Sequence, residues 1–315
     1  MESRMTAMKQ EVITKLKGCK DLPSPPGVAA QIIELSQNVG SDIDTLAEVV
    51  SMDPVLSAKI IRMANSSLYM RAIETESVQQ AVSMFGWTGT LNIALSFSLV
   101  GGKSDQNNDG LDYDLYWKRS LATAVACRKL GEVTKYSLRE ELFLPGMLQD
   151  IGMLAIDKAF PGIYKDVEER QQDHRYMCAL EMKHLEVDHS AVGEWLLESW
   201  RIPKKITQMI GLSHADCQSV ETDLDSKLIQ SIVYSGPIAD CIYCDEENKN
   251  YMDVANIAEQ QFGLDITDFL TLIGKLTEEY QEMAALFDID VGDPALLQSN
   301  ADNAKEVLLK SMGVV

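Results

Sequence analysis

Gln149 and Asp150 sit inside an apolar run, residues 142–156, where an ionisable side chain needs a reason to be present. Neighbouring residues on a helix point about 100° apart, so a histidine followed by aspartate can bring a ring nitrogen and a carboxylate to one metal centre. Only the aspartate is present here. The amide of Gln149 is neutral and has no imidazole nitrogen to offer a transition metal. If Asp150 is buried, its charge requires a partner; otherwise it is a partly exposed aspartate on a core helix. Three other groups could converge on it: His189, which opens the run 189–197, His214 after Ile210-Gly211-Leu212-Ser213, and Asp240 at the end of 232–240. Histidines on separate helices with an aspartate on a fourth are the materials of a bundle-lined metal site. Each of these histidines also suits an ordinary structural role.

Other chemical motifs are weaker. Cys241-Ile242-Tyr243-Cys244, with His214 and Cys217, contains zinc-type ligands, but a lone Cys-x-x-Cys that continues a helical run suits core thiols better. No metal or cofactor is therefore expected. Methionines 147, 153, 177, 182 and 209 read as core filler. No glycine-rich phosphate loop occurs, and Ser120 and Ser190 have no evident base partner for nucleophilic catalysis.

The elements that must position these groups read as helices throughout, so the expected fold class is all-α. Pro23, Pro25 and Pro26 lead stiffly into 28–38, and Asp53 before Pro54 caps a helix running through Ala64. Ser77 starts another that Gly86 can stop, and Thr88 caps a third ending at Gly101-Gly102. Five helices fit within the first hundred residues. The polar stretch 103–110 reads as a lobe boundary. Beyond it, helical periodicity covers 113–130, 138–156, 161–171, 175–184, 189–200 and 203–212. Pro237 interrupts 224–242, where a kink is expected. The remaining helices span 253–262, 265–287 and 300–312.

With 315 residues, the chain is long enough for two packed units. Its net charge of -20 argues against a nucleic-acid backbone as partner. Residues 240–290 hold thirteen acidic side chains but only Lys249 and Lys275 as basic ones, the mark of solvated helical faces. No apolar run is long enough to span a bilayer and residues 1–10 lack a signal-peptide core, so a cytoplasmic location is expected. The six scattered cysteines suit reduced thiols.

The sequence resembles the HDOD family, a degenerate branch of the HD-domain phosphohydrolases found in bacterial signalling proteins. The resemblance is carried by Leu22-Pro23-Ser24-Pro25-Pro26, by 46–66 with its Asp53-Pro54 opening and Ala64-Asn65-Ser66 ending, and by Ser77-Val78-Gln79-Gln80-Ala81-Val82. It continues through Trp117-Lys118-Arg119-Ser120-Leu121-Ala122, Gly146-Met147-Leu148-Gln149-Asp150-Ile151-Gly152 and Trp200-Arg201-Ile202-Pro203, covering about residues 17–240.

The resemblance implies an N-terminal helical lobe (1–105) packed on an HD-like helical core (106–245), followed by a C-terminal helical extension (246–315). That extension is similar to the segment leading into a further signalling domain. Active HD proteins carry histidine where this chain has Arg119 and His-Asp where it has Gln149-Asp150. Asp150, Asp240, His189 and His214 match family positions. The implied remnant-site pocket is thus Arg119, Gln149, Asp150, His189, His214 and Asp240, with no catalytic residue and no metal.

The charge of Arg119 predicts an ion pair with Asp150 in place of the metal. The resemblance implies a non-catalytic signalling module that binds a partner protein or small signal, in a family often linked to cyclic di-GMP pathways. The alternative is residual metal-dependent phosphohydrolase activity on a cyclic dinucleotide or phosphate ester through Asp150, His189, His214 and Asp240. A third reading is an oligomeric scaffold.

Overall fold

Aspartate and serine side chains begin many of the helices. In the computed structural model, residues 8–293 are described except 39, 70–73, 101–109, 166, 168–172, 218–221 and 244–250, together with 297, 299, 302, 306 and 310. After α1 (Gln10–Gly18) and α2 (Gly27–Gln37), Asp42 accepts from the Thr45 amide to start α3 (Ile43–Ser51). Asp53 accepts from the amides of Val55 and Leu56 to start α4 (Pro54–Ala64), and Ser77 caps α5 (Val78–Leu99). Asp112, Asp173, Asp188 and Asp265 do the same for α6 (Tyr113–Val133), α9 (His174–Leu185), α10 (His189–Ser199) and α14 (Ile266–Phe287). Each such cap satisfies an otherwise orphaned helix amide and contributes about 0.5–2 kcal/mol. The other helices are α7 (Phe143–Leu148), α8 (Ile151–Ala159), α11 (Lys204–Gly211), α12 (Ser226–Tyr243) and α13 (Tyr251–Phe262). No strand occurs among the described residues, so the fold is all-α.

Several local expectations change. The helix expected over 138–156 is a 3-10 turn at Arg139–Leu142, then α7 and α8, with Gln149 and Asp150 between them. Pro145 lacks an N–H and cannot sit inside a helix begun at 138, but it is tolerated in the first turn of α7. Asp150, with φ -102 and ψ 8, therefore lies at a break and not along a helix face. Gly86, at φ 70, is non-helical and does interrupt the helix begun at Ser77, as expected; the two helical segments that meet there together make up α5. Residues 161–165 form turns instead of the expected helix. Pro237 lies inside α12. The proposed lobe boundary at 103–110 falls, except for Gly110, outside the described residues, as does most of the helix expected at 300–312.

Helix α6 runs through the middle of the molecule, with α7, α12 and α14 packed on it, while α3 and α4 pack on α5. From the C-terminal helices, Phe287 stacks on Phe97 of α5 with ring centroids 4.2 Å apart and on Phe143 of α7 at 5.7 Å. A buried arginine reinforces the same junction. Arg128 of α6 meets Glu140 at 2.9 Å, Glu132 at 3.3 Å and Glu279 of α14 at 3.6 Å, and Tyr69 donates to Glu140. No described helix is long and apolar enough to cross a membrane.

Glycine is required where α8 meets α10. A methyl group on Gly152 would lie 2.0 Å from the backbone oxygen of His189 and 2.6 Å from the Gly193 nitrogen. Backbone cannot retreat as a flexible side chain can, so Gly152→Ala should force the two helices apart. The expected loss is about 1–3 kcal/mol in urea-induced unfolding; an unchanged midpoint would show that the helices separate freely.

Candidate functional site

Arg119 enters the interior from α6 and meets carboxylates from two other directions. Its Nη1 donates to Asp150 Oδ2, and its Nε donates to Asp240 Oδ1 on α12 at 3.2 Å. The backbone of α12 is shaped to admit it: a methyl group on Gly236 would sit 2.9 Å from Arg119 Nη2. Gln149 turns to the same helix, where its Oε1 accepts from Ser235 Oγ at 3.1 Å.

Asp150 is 1% exposed at its side chain. Burial opposes its charge, but Arg119 and then His174 and His189 hold its carboxyl well below the usual range. Asp240 differs, with about a quarter (26%) of its side chain exposed. Burial, with the Asp150 charge nearby, pushes its carboxyl up to about 6 against the pull of Arg119.

Three imidazoles gather on the other side of Asp150. His174 begins α9, Cys178 lies one turn later, His189 begins α10, and His214 follows α11. His174 Nε2 lies 3.1 Å from His214 Nε2 and 3.7 Å from Asp150 Oδ1. His189 Nε2 lies 3.3 Å from that same oxygen. Cys178 Sγ is 3.8 Å from His214 Nδ1, and Asp188 Oδ2 approaches that nitrogen at 3.5 Å.

Glu181, fully buried, takes the backbone N–H of His189 at 2.7 Å, its Nδ1 at 2.8 Å and the Tyr164 hydroxyl at 2.6 Å. Burial alone would lower the basicity of His189, but Glu181 raises it well above the ordinary range. His174 has no such carboxylate; burial and then Arg119 hold it well below that range. Burial pushes the Cys178 thiol up to about 12. Asp188, despite burial, is held far below a normal carboxylate by His214.

The six residues anticipated from the sequence thus divide. Arg119, Asp150 and Asp240 form one ion-pair group, His189 and His214 join His174 and Cys178 in another, and Asp150 touches both. Gln149 faces Ser235. His174, Cys178, Glu181 and Asp188 were not anticipated. The i, i+4 spacing of His174 and Cys178 was the signal available, but it shows only if the helix begins at His174 and not at Arg175. The zinc-type grouping around Cys241 does not form among the described residues. Cys241 Sγ donates to Pro237 O at 3.7 Å, Cys217 bonds to Tyr234, and His214 is engaged elsewhere; Cys244 lies outside the described residues.

Residues 22–216 match the HDOD domain, and the chain belongs to that family. An uncharacterized protein of Treponema pallidum (strain Nichols) is 21% identical over 196 residues, which is 62% of this chain and only 38% of that protein. Among solved structures, an HDOD domain protein of unknown function from Geobacter sulfurreducens superposes with a TM-score of 0.64 at 19% identity, covering 92% of this chain and 98% of that one. A protein of Shewanella amazonensis SB2B described as a candidate phosphohydrolase gives 0.64 at 22% identity, covering 91% and 99%. A candidate signal transduction protein of Marinobacter aquaeolei VT8 gives 0.61 at 19%, covering 91% and 66%. At these identities the likeness establishes the fold.

An HD-type metal would use Asp150 and Asp240 together. The residues do not fit that arrangement, because the guanidinium of Arg119 already binds an oxygen of each, and a second cation there would face a permanent positive charge. The adjoining cleft, lined by Leu111, Tyr116, Arg119, Asp150, Met153 and His174 among others, has a volume of about 20 Å³, room for about one water.

Arg119→Ala should leave Asp150 buried without its guanidinium partner and destabilise the chain by about 3–5 kcal/mol in urea unfolding. Adding Asp150→Asn should recover part of the loss, giving a non-additive cycle; strict additivity would mean that the two side chains do not interact. Asp240 supplies a pH test. Its folded-state value near 6 exceeds the unfolded value of about 3.9, so the folded chain binds the extra proton between them. The stabilisation that Asp240 contributes is complete below about 4 and disappears as pH rises through about 6. Asp240→Asn should remove that component of the stability profile, and identical wild-type and variant slopes would contradict it.

Proposed function

We propose that this HDOD chain is a signal-transduction module that works by binding, not by hydrolysis. The observation that carries the reading is Arg119 shared between Asp150 and Asp240, a cation of fixed charge held where an HD phosphohydrolase would keep its metal. A guanidinium can bind two carboxylates at once, but it cannot lower the pKa of a bound water as a metal does. The small adjoining cleft supports the same reading, because a phosphate ester needs far more room than one water. Regulation would then pass through helix packing around the pair, with a partner protein or small signal bound elsewhere on the chain.

The competing reading is a metal-dependent phosphohydrolase. The clustering of His174, Cys178, His189 and His214 favours it, as does the description attached to the Shewanella amazonensis structure. Incubating the purified chain with p-nitrophenyl phosphate, bis-p-nitrophenyl phosphate or cyclic di-GMP, each with added Mg²⁺ or Mn²⁺, separates the two. The expected outcome is no turnover above buffer. Turnover that chelator abolishes and that disappears in Asp150→Ala would overturn the binding-only reading.

A further inference from the structure

We propose that the chain binds one zinc-class transition-metal ion through His174, Cys178, His189 and His214, beside the Arg119 ion pair and not within it. One ligand atom from each of these four residues lies within 4.8 Å of the others. A tetrahedral centre with bonds of about 2.0–2.3 Å needs its donors about 3.3–3.8 Å apart. His174 Nε2 and His214 Nε2, at 3.1 Å, would open slightly, and the widest spacing, within 4.8 Å, would close by up to about 1 Å. Three imidazoles and a thiol are a donor set suited to zinc and poorly suited to magnesium or calcium.

A second observation points to a missing cation. His189 Nε2 and Asp150 Oδ1 are both buried, and neither has a hydrogen-bond partner although they face each other at 3.3 Å. Glu181 accepts from His189 Nδ1, so in the neutral ring the proton is committed on that side and Nε2 presents its lone pair to the carboxylate. Two lone pairs facing one another in the interior call for a positive group between them, and Arg119 binds the other oxygen of Asp150 and not this one. A proton on Nε2 is one solution and a metal is the other. Glu181 on the far nitrogen serves either one; the three further donors gathered within 4.8 Å are what a metal would use and a proton would not.

Glu181 on His189 Nδ1 and Asp188 beside His214 Nδ1 are carboxylate supports of the kind that orient metal-bound imidazoles and raise their basicity. The same two carboxylates and Asp150 give the buried cluster three negative charges against the single charge of Arg119. A divalent ion with one thiolate ligand adds one net positive charge and so offsets half of that excess. Because all four donors come from the chain and the neighbouring cleft holds about one water, the site is closed, as structural metal sites are. Its ligands come from α9, from the start of α10 and from the turn after α11, so the ion would clamp those three segments together. The inference does not depend on the binding-only function, since a closed metal clamp could sit in either kind of protein.

The test uses the full chain, expressed without a polyhistidine tag in zinc-supplemented medium and passed through gel filtration. Elemental analysis should find about one zinc per chain. Replacing zinc with cobalt(II) should give the visible bands of a four-coordinate ion together with a thiolate-to-cobalt charge-transfer band in the near ultraviolet. Cys178→Ser should remove the charge-transfer band, and His174→Ala should weaken cobalt binding at least about tenfold. Cys217→Ser and Asp240→Asn should leave the spectrum unchanged. If Cys178→Ser fails to fold, the wild-type charge-transfer band and its persistence in Cys217→Ser still decide the matter. A chain that retains no zinc and gives no cobalt bands would overturn the proposal. So would a metal that Asp240→Asn removes and Cys178→Ser does not, because that ion would lie between the aspartates. Neither result depends on turnover, so a failed metal test and a failed functional reading remain distinct.

Discussion

The contact between Arg119 and Asp150 sets the terms for the rest of the core. A carboxylate buried this completely must be neutralised, and an effective partner is a permanent cation aimed at it from a neighbouring helix. Once Arg119 is committed there, α6, the α7–α8 break and α12 are tied at one point, because the same guanidinium also reaches Asp240. A methyl group at Gly236 would crowd the end of that guanidinium, 2.9 Å from Nη2. A buried ion pair is a poor source of net stability compared with an apolar contact of the same volume. What it supplies is a fixed arrangement, since breaking it leaves a charge stranded.

The charge pattern around the pair separates two environments only a few ångströms apart. On one side, two carboxylates compete for one guanidinium, and Asp240, the less enclosed of them, gives way and holds its proton to about 6. On the other, three imidazoles share the space with Glu181, which draws positive charge toward His189, and Asp188, which lies 3.5 Å from His214 Nδ1. His174 lacks a carboxylate at its other ring nitrogen among these contacts and stays neutral under the influence of burial and Arg119. The arginine therefore lowers both carboxyls and, with burial, keeps His174 uncharged.

Much of the local architecture was legible because it depends on near neighbours. Asp53-Pro54, Ser77 and the 3.6-residue apolar spacing identify helices through caps and faces that lie within a turn of each other. The break at Gln149 and Asp150 was harder to see, since an apolar run suits either one helix or two short ones and Pro145 alone had to decide between them. The Arg128 network was missed for a different reason. Its acids, Glu132, Glu140 and Glu279, are unremarkable surface-type residues until α14 folds back onto α6.

By itself, the sequence determined that the chain is helical, strongly acidic, and carries arginine and glutamine where a metal-binding relative would carry imidazoles. The first two properties follow from residue identity and short-range periodicity; the last is what the resemblance to HD proteins implies. The resemblance, which puts the fixed charge of Arg119 where a metal would sit, also predicted an Arg119–Asp150 pair. Only the tertiary structure decided that Asp150 stands between two clusters, one built on Arg119 and Asp240 and the other on His174, Cys178, His189 and His214. The reason is physical: ligand and ion-pair geometry is set by helices meeting across long stretches of chain. Those approaches depend on close contacts such as Gly152 against the His189 backbone, which no local pattern records.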